Sequence, residues 1–157
     1  MPPPPAAVLP SVVDRFLDPE AMAATATGAP VAAVVESVRR DVEDLLNSRR
    51  PADPDLDQYP ELSRSVFAYG IPELVCRPAA TGPDREAIGR LLAEAIARHE
   101  PRLRDVSVAL IPDPGGTDRT LRYRVSARLR LDPAPGVEFE TVLRLATGQT
   151  SLLAARA

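Results

Sequence analysis

The chain has 157 residues, of which 45% are apolar and 26% are charged. That length and balance predict one small domain with its own hydrophobic core, and they exclude a chain that is disordered throughout. A net charge of −3 and an aromatic content of 4% count against nucleic acid, anionic membrane and carbohydrate as ligands, because these need positive charge or aromatic platforms.

The features that bear on location predict a cytoplasmic protein without membrane insertion. No run of about 18 apolar residues is present, as a membrane-spanning helix would need. Met1 is followed by four prolines instead of the charged and apolar regions of a signal peptide. The single cysteine, Cys76, has no partner for an internal disulfide, which suits a reducing compartment.

The N-terminal part divides into a tail, a short helix and a linker. Residues 1–8 are rich in proline and are expected to form a disordered, extended tail. The next apolar residues have helical spacing, and a linker rich in Ala, Thr and Gly follows them. This helix either folds back on its own core or docks on a partner. We therefore expect a docking helix and linker over 9–30 and one α+β domain over 31–153.

Three later segments are expected to be helical. Residues 31–47 place apolar side chains on one face, and Pro51 follows the end of this helix. A short helix is predicted from Pro60 to Gly70. A second long helix is predicted to begin at residues 81–83 and to end at Pro101.

The last third of the chain alternates apolar and polar residues, which is typical of strands with one buried face. Alternating segments cover 106–110, 121–131 and 137–145, and a short final strand is predicted over 150–153. Proline and glycine mark the turns between them, including Gly115-Gly116. The predicted fold class is therefore α+β, with the N-terminal helices packed on one face of a C-terminal four-stranded antiparallel meander.

The polar face of this sheet carries a row of arginines, and we predict a register for it. Pairing segments 119–131 and 137–146 places Leu131 roughly opposite Val137. Opposite charges across strands then contribute about 0.2–1 kcal/mol each. The predicted charge pairs are Arg130 with Glu138, and Arg128 with Glu140.

The same register leaves three arginines without partners in the hairpin. Arg124 is expected to face Arg144, with Arg122 beyond them. These side chains form either a solvated face or a docking patch for an acidic partner. Nucleic acid is disfavoured as that partner because the chain is acidic and poor in aromatic residues.

Few residues are candidates for catalysis or for binding a cofactor or metal, and we expect none of the three. The single histidine, His99, and Cys76 are far apart, whereas a metal site needs a cluster of ligands. Gly115-Gly116 joins two strands and does not form a phosphate-binding turn before a helix. Glu100 lies at the end of a long helix, where a negative charge costs up to about 1 kcal/mol unless it is paired.

Three partners within the chain could pair with Glu100, namely Arg98, Arg102 and Arg104, and a partner protein is the other possibility. The alternative function is a peptidoglycan-cleaving, lysozyme-like enzyme that uses Glu100. A glycosidase needs a second carboxylate across the cleft, and the sequence identifies none.

Several segments occur in an order that is typical of one bacterial family. On them the chain resembles TssE, the small baseplate subunit of the type VI secretion system, which is similar to the baseplate wedge protein of contractile phage tails. The resemblance covers about residues 9–153. The segments are LPSVVDRFL at 9–17, DVEDLLNSRRP at 41–51, SVFAYGIPEL at 65–74 and EPRL at 100–103.

The resemblance implies a structural protein and not an enzyme. It implies docking on the wedge proteins TssF and TssG, with TssK in the same baseplate, and a link to the sheath proteins TssB and TssC. The Glu-Pro-Arg turn is the hallmark of the family, so Glu100, Pro101 and Arg102 are implied to make wedge contacts. Some family members carry a lysozyme-like label, which nothing in this sequence supports.

The final strand gives one more candidate. It closes the meander, so we expect one of its edges to be free, and an open edge can pair with a strand of another chain. Leu152 is therefore predicted to take part in attaching the sheath.

Overall fold

The computed structural model describes residues 12–17, 30–52, 58–63, 65–75, 77–112, 120–131 and 135–156. The predicted tail of residues 1–8, most of the linker that ends at residue 30, Cys76 and the Gly115-Gly116 turn lie outside these residues. The helices of the described part are α1 (Val12–Leu17), α2 (Val31–Asn47), α3 (Pro60–Ser63) and α4 (Gly82–His99), with a 3-10 helix at Val66–Ala68.

The two long helices form for reasons that the sequence shows. The apolar positions of α2 fall on one face, and Val38, Val42 and Leu46 are fully buried. α4 begins with a reciprocal cap, because the backbone N–H of Asp84 donates to the Thr81 hydroxyl and the N–H of Thr81 donates to the Asp84 carboxylate. Both predicted long helices are confirmed.

The sheet is a four-stranded antiparallel meander with the order β1-β2-β3-β4. α4 packs against β1, and α2 packs against β4. The predicted α+β fold class is therefore confirmed. The strands are β1 (Leu103–Ile111), β2 (Thr120–Leu129), β3 (Gly136–Arg144) and β4 (Gln149–Arg156).

The hydrophobic core lies between the helices and the inner face of the sheet. Tyr123 and Phe139 are its largest buried side chains, and the Tyr123 hydroxyl donates to the Arg85 carbonyl at 2.7 Å. α4 lies close to the Tyr123 ring at Gly89, where an added Cβ would be only 3.2 Å from that ring. The alternation in the sequence thus identified the buried face of β2 and β3 correctly.

The predicted register between β2 and β3 is wrong. β2 ends at Leu129, whose backbone N–H donates to the Pro135 carbonyl at 3.0 Å. The connection therefore takes up more of the chain than the predicted turn, and the pairing shifts by four residues. The observed partners are Arg128 with Gly136, Ser126 with Glu138, Arg124 with Glu140, and Thr120 with Arg144.

One helix also differs from the expectation. The single helix predicted from Pro60 to Gly70 is instead α3 and a separate 3-10 helix, because the Ser65 hydroxyl accepts from the Phe67 N–H and starts a new turn. In α1 the Phe16 side chain is 82% exposed, and the docking role of the segment 9–30 stays a prediction.

Candidate functional site

The Glu-Pro-Arg turn joins α4 to β1, and its glutamate is paired inside the chain. Glu100 is 4% exposed, and its N–H donates to the Ile96 carbonyl at 2.9 Å as the cap of α4. One carboxylate oxygen accepts from the Arg102 backbone N–H at 3.0 Å and from Arg102 Nε at 2.8 Å, and the other accepts from Arg102 Nη2. Arg102 is therefore the partner that offsets the negative charge at this helix end.

The same arginine fastens the turn to α2. Arg102 Nη1 donates to the Ser37 hydroxyl at 3.1 Å, and Nη2 donates to the Asp41 carboxylate. Burial lowers the pKa of Arg102, but its bonds to Glu100 and Asp41 outweigh this effect and raise the pKa above the ordinary value. We call Ser37, Asp41, Glu100 and Arg102 the turn cluster.

The turn cluster changes how the three candidate residues can act. Glu100 is buried and Arg102 is half-buried, whereas Pro101 is exposed. Pro101 can therefore contact another protein without breaking any interaction that stabilises the fold. Sequence reasoning missed Ser37 and Asp41, and the only available signal was that Asp41 opens one of the family-like segments.

A second contact joins the family-like segment 41–51 to the segment 65–74. The Ile71 N–H donates to the Ser48 carbonyl at 3.0 Å, and the Arg50 N–H donates to the Ile71 carbonyl at 3.1 Å. These bonds make a parallel bridge between Arg49 and Ile71 just after α2. Gly70 allows the approach with a φ of 106°, and a Cβ there would lie 2.6 Å from the Ser48 carbonyl oxygen.

Arg49 fixes the end of α2 to the turn between β3 and β4. Its guanidinium donates to the Leu46 carbonyl at 3.0 Å, to the Ser48 carbonyl at 3.3 Å and to the Gly148 carbonyl. Gly148 has a φ of 69°, which suits a glycine in a tight turn. Arg49 is a further residue that the sequence alone did not single out.

His99 contacts the Tyr69 ring at the end of α4. The two ring centroids are 5.4 Å apart, and the rings meet edge to face at 70°. Burial lowers the pKa of His99, and the positive charges of Arg98 and Arg50 lower it further. A hydrogen bond with the Ala68 backbone raises the pKa but does not outweigh these effects. The imidazole is therefore predominantly neutral at pH 7.

We expect an NMR titration of this single histidine to give a midpoint below 6.5, its ordinary value. Because the unfolded chain then binds the proton more tightly, the free energy of unfolding should fall as the pH drops from about 6.5 through the folded pKa. Arg98→Gln should raise the midpoint by removing a positive charge. Arg90→Gln, on the exposed side of α4, is the control, and an equal rise there would contradict this assignment.

The outer edge of β4 is covered by side chains of α2, so the expectation of a free edge at residues 150–153 is wrong. The Asn47 amide donates to the Thr150 carbonyl and accepts from the Thr150 N–H, both at 2.9 Å. Glu43 accepts from the Leu152 N–H at 3.3 Å, and Arg39 donates to the Leu152 carbonyl at 3.4 Å. The Leu152 side chain is itself buried.

Helix geometry explains this cover. Side chains four residues apart on a helix are separated by about 6 Å, and alternate residues of a strand by about 6.8 Å. Asn47, Glu43 and Arg39 recur at that helical spacing and run antiparallel to β4. Arg39 and Glu43 form an ion pair of 2.7 Å, and the Asn47 amide donates to the Glu43 carbonyl at 2.9 Å. We call these three residues the edge cap.

We expect Asn47→Ala to lower the free energy of unfolding by about 1–2 kcal/mol, because two backbone groups of Thr150 lose their partner. Alanine is a better helix former than asparagine, so the same substitution in an isolated helix would increase its stability. Hydrogen exchange at the Thr150 amide should accelerate. Asp44→Ala, on the exposed side of α2, should leave that exchange rate unchanged, and equal rates in both variants would contradict the edge cap.

The outer face of the sheet holds the other predicted binding residues. Arg122 Nη1 lies 3.4 Å from Glu140 Oε1, so the expectation that Arg122 lacks a partner in the hairpin is wrong. Arg124 and Arg144 are exposed, and the predicted contact between them does not form because Arg124 lies opposite Glu140 and Arg144 opposite Thr120. The corrected register therefore separates Arg124 from Arg144, whereas Arg122 stays next to Arg124 on the same face of β2.

Neither a metal-binding cluster nor a membrane-spanning helix is found in the described part of the chain. It contains no group of three or more histidine, cysteine, aspartate or glutamate residues that could hold a metal ion. No helix in the described ranges is long and apolar enough to span a membrane.

Comparison with known proteins identifies the family. The family model described as baseplate wedge protein gp25 matches residues 32–134, which is more than half of the chain. The matched range includes all of α2 except Val31, the turn cluster and the bridge between Arg49 and Ile71. TssE is the type VI secretion homologue of gp25. No curated protein and no solved structure gives a significant match. The chain belongs to the baseplate wedge protein gp25 family.

Proposed function

We propose that this protein is a non-enzymatic structural component of a type VI secretion baseplate in the bacterial cytoplasm. In this proposal it docks on the TssF and TssG wedge, in a baseplate that also holds TssK, and links the wedge to the sheath proteins TssB and TssC. The observation that carries the proposal is the family match over α2, α4, β1 and β2. The resemblance of the sequence to TssE supports the type VI assignment.

The turn cluster supports a wedge contact at Pro101. Glu100 and Arg102 tie the turn to α2 through Ser37 and Asp41, so the turn is held in one conformation. A loop that is already ordered loses less conformational entropy when it binds a partner. Glu100 and Arg102 would then act by positioning the exposed Pro101.

The sheath would attach at the β1 edge in this proposal. The backbone N–H of Leu129 points to β3, so the backbone groups of the odd-numbered residues of β2 point to β3 and those of the even-numbered residues point to β1. Leu110 lies opposite the odd-numbered Tyr123, so the N–H and carbonyl of Leu110 point away from β2, to the outer side of β1. In the described part of the chain no residue bonds to these two groups. The β4 edge is occupied by the edge cap, so β1 is the better template for a partner strand.

The enzyme that uses Glu100 is the weaker alternative. Both oxygens of its carboxylate accept bonds from Arg102, and the side chain is 6% exposed. A general acid of a glycosidase has to reach the leaving oxygen of the substrate in an open cleft. A zymogram on peptidoglycan tests this alternative, and clearing by the purified protein would support it.

Co-purification with TssF and TssG from the same bacterium tests the wedge contact. We expect the wild-type protein to be retained and Pro101→Ala to be retained less, at an unchanged melting temperature. Pro78→Ala, an exposed proline in another loop, is the matched control. Failure of the wild-type protein to bind would refute the wedge assignment, and equal retention of both variants would refute the role of Pro101.

Sheath imaging in cells tests the β1 edge. Leu110→Pro removes the outward N–H and no ladder bond to β2, so it should reduce the number of sheaths while wedge binding persists. Leu110→Ala removes the same side chain and keeps the N–H, which makes it the control. Equal sheath numbers in the two variants would contradict attachment at this edge.

A further inference from the structure

An excess of positive charge lies on the outer face of the sheet, at the end next to the Glu-Pro-Arg turn. Arg104 on β1 and Arg128 on β2 are directly opposite each other, and Arg124 lies on the same face of β2, four residues before Arg128. All three are exposed, and within the described residues none of them makes an ion pair. We call Arg104, Arg124 and Arg128 the arginine patch.

The acidic residues around the patch do not neutralise it. Glu140 lies opposite Arg124 but bonds to Arg122. Glu138 lies opposite Ser126 and is exposed, and Asp105 lies in the irregular part of β1, where the register shifts. Neither makes an ion pair in the described part of the chain. The patch therefore keeps its charge in a protein whose net charge is −3.

The arrangement of Arg104 and Arg128 is unfavourable for the fold alone. Like charges directly opposite each other on neighbouring strands destabilise a sheet. Their Cα atoms belong to adjacent strands, at a separation of about 5.5 Å, so both guanidinium groups can reach a single carboxylate from outside. A bound carboxylate would turn a repulsive pair into two charge-assisted hydrogen bonds.

We propose that the arginine patch is a docking surface for a carboxylate-rich surface of a partner protein. A protein is favoured over nucleic acid because the net charge is negative and the face between the arginines carries Ser107, Ala109 and Ser126 but no aromatic side chain for base stacking. Arg104 lies three residues after the exposed Pro101, so one partner can cover both. The inference rests on the proposed wedge docking and specifies its chemistry.

Arg104→Glu tests the inference because it separates stability from binding. The new glutamate lies opposite Arg128, so the folded domain should be at least as stable as the wild type, which thermal unfolding checks. The affinity for purified TssF–TssG complex should fall at least about tenfold, because like charges then meet across the interface. Arg90→Glu changes the net charge equally on the exposed side of α4 and should bind as the wild type does.

Each outcome decides between the proposals. If the wild-type protein binds and Arg104→Glu binds as tightly as Arg90→Glu, the arginine patch is not a docking surface and the wedge assignment stands. If the wild-type protein does not bind TssF–TssG at all, the proposed function fails and this inference fails with it. If a short DNA duplex binds in a manner that Arg104→Glu abolishes, the patch binds nucleic acid and the protein-docking inference is overturned.

The salt dependence gives a second measure. Wild-type affinity for TssF–TssG should weaken from about 0.1 M to about 0.5 M salt, because screening shortens the range of charge interactions. Arg104→Glu should show a smaller dependence. An affinity that is independent of salt in the wild type would overturn the inference even if the complex forms.

Discussion

Arg102→Ala is expected to lower the free energy of unfolding by about 3–5 kcal/mol, the cost of leaving a buried charge without its partner. The charge in question is Glu100, whose side chain is 6% exposed and whose carboxylate accepts several bonds from Arg102. Asp41 and Ser37 would lose the same partner. Because a domain is stable by only about 5–15 kcal/mol, this single change would remove a large part of the total.

The measurement is chemical unfolding of the wild type and of three variants. Glu100→Leu combined with Arg102→Met should be more stable than Arg102→Ala, because removing both buried charges leaves neither unpaired. Asp41→Asn should cost less, since the Asp41 side chain is 33% exposed and keeps a hydrogen-bond acceptor. A loss below about 1 kcal/mol for Arg102→Ala would show that Glu100 has no strong internal pairing.

This expectation also bears on function. A loss of baseplate assembly in Glu100→Ala or Arg102→Ala would mix misfolding with lost contacts, because both residues belong to the turn cluster. Pro101 is exposed and carries no side-chain hydrogen bond, so its substitution reports on contacts alone. The Glu-Pro-Arg turn thus combines two residues that stabilise the fold and one that is exposed to solvent.

Gly70→Ala is expected to lower the free energy of unfolding by about 2–4 kcal/mol. The φ of 106° at Gly70 is strained for a residue with a Cβ, at a cost of about 1–2 kcal/mol. The added carbon would also lie 2.6 Å from the Ser48 carbonyl oxygen, which is backbone and cannot rotate away. Relieving that contact would break the bond from the Ile71 N–H to the same oxygen.

Thermal and chemical unfolding measure this effect, and Gly82→Ala is the matched control. Gly82 is the first residue of α4, and a Cβ there has open space around it. That substitution should be neutral or stabilising by up to about 1 kcal/mol, because alanine restricts the unfolded chain and favours a helix. If the two alanine variants were equally stable, the close approach at Gly70 would be wrong.

The sequence by itself determined the order and kind of the elements. A period of 3.6 residues in α2 and a period of two in β2 and β3 report which side chains are buried, because each period is a local property of the backbone. Thr81 and Pro83 fix the start of α4 in the same local way. These features needed no knowledge of how the elements pack.

The register between β2 and β3 could not be obtained in that way. A shift by an even number of residues keeps every buried side chain on the same face, so hydrophobic alternation is equally satisfied by the predicted and the observed pairing. The loop decides between them, through the bond from the Leu129 N–H to the Pro135 carbonyl. The pairs formed by Arg122, Arg124 and Arg128 changed with it.

Only the tertiary structure decided what surrounds the candidate binding residues. Ser37 and Asp41 are 61 or more residues from Arg102 in sequence, and the edge cap lies more than 100 residues from the β4 groups that it covers. No local pattern records such contacts, because they depend on where α2 lies over the sheet. For that reason the sequence identified a charged turn and a terminal strand as candidates, while packing decided that Pro101 faces outward and that the β4 edge is closed.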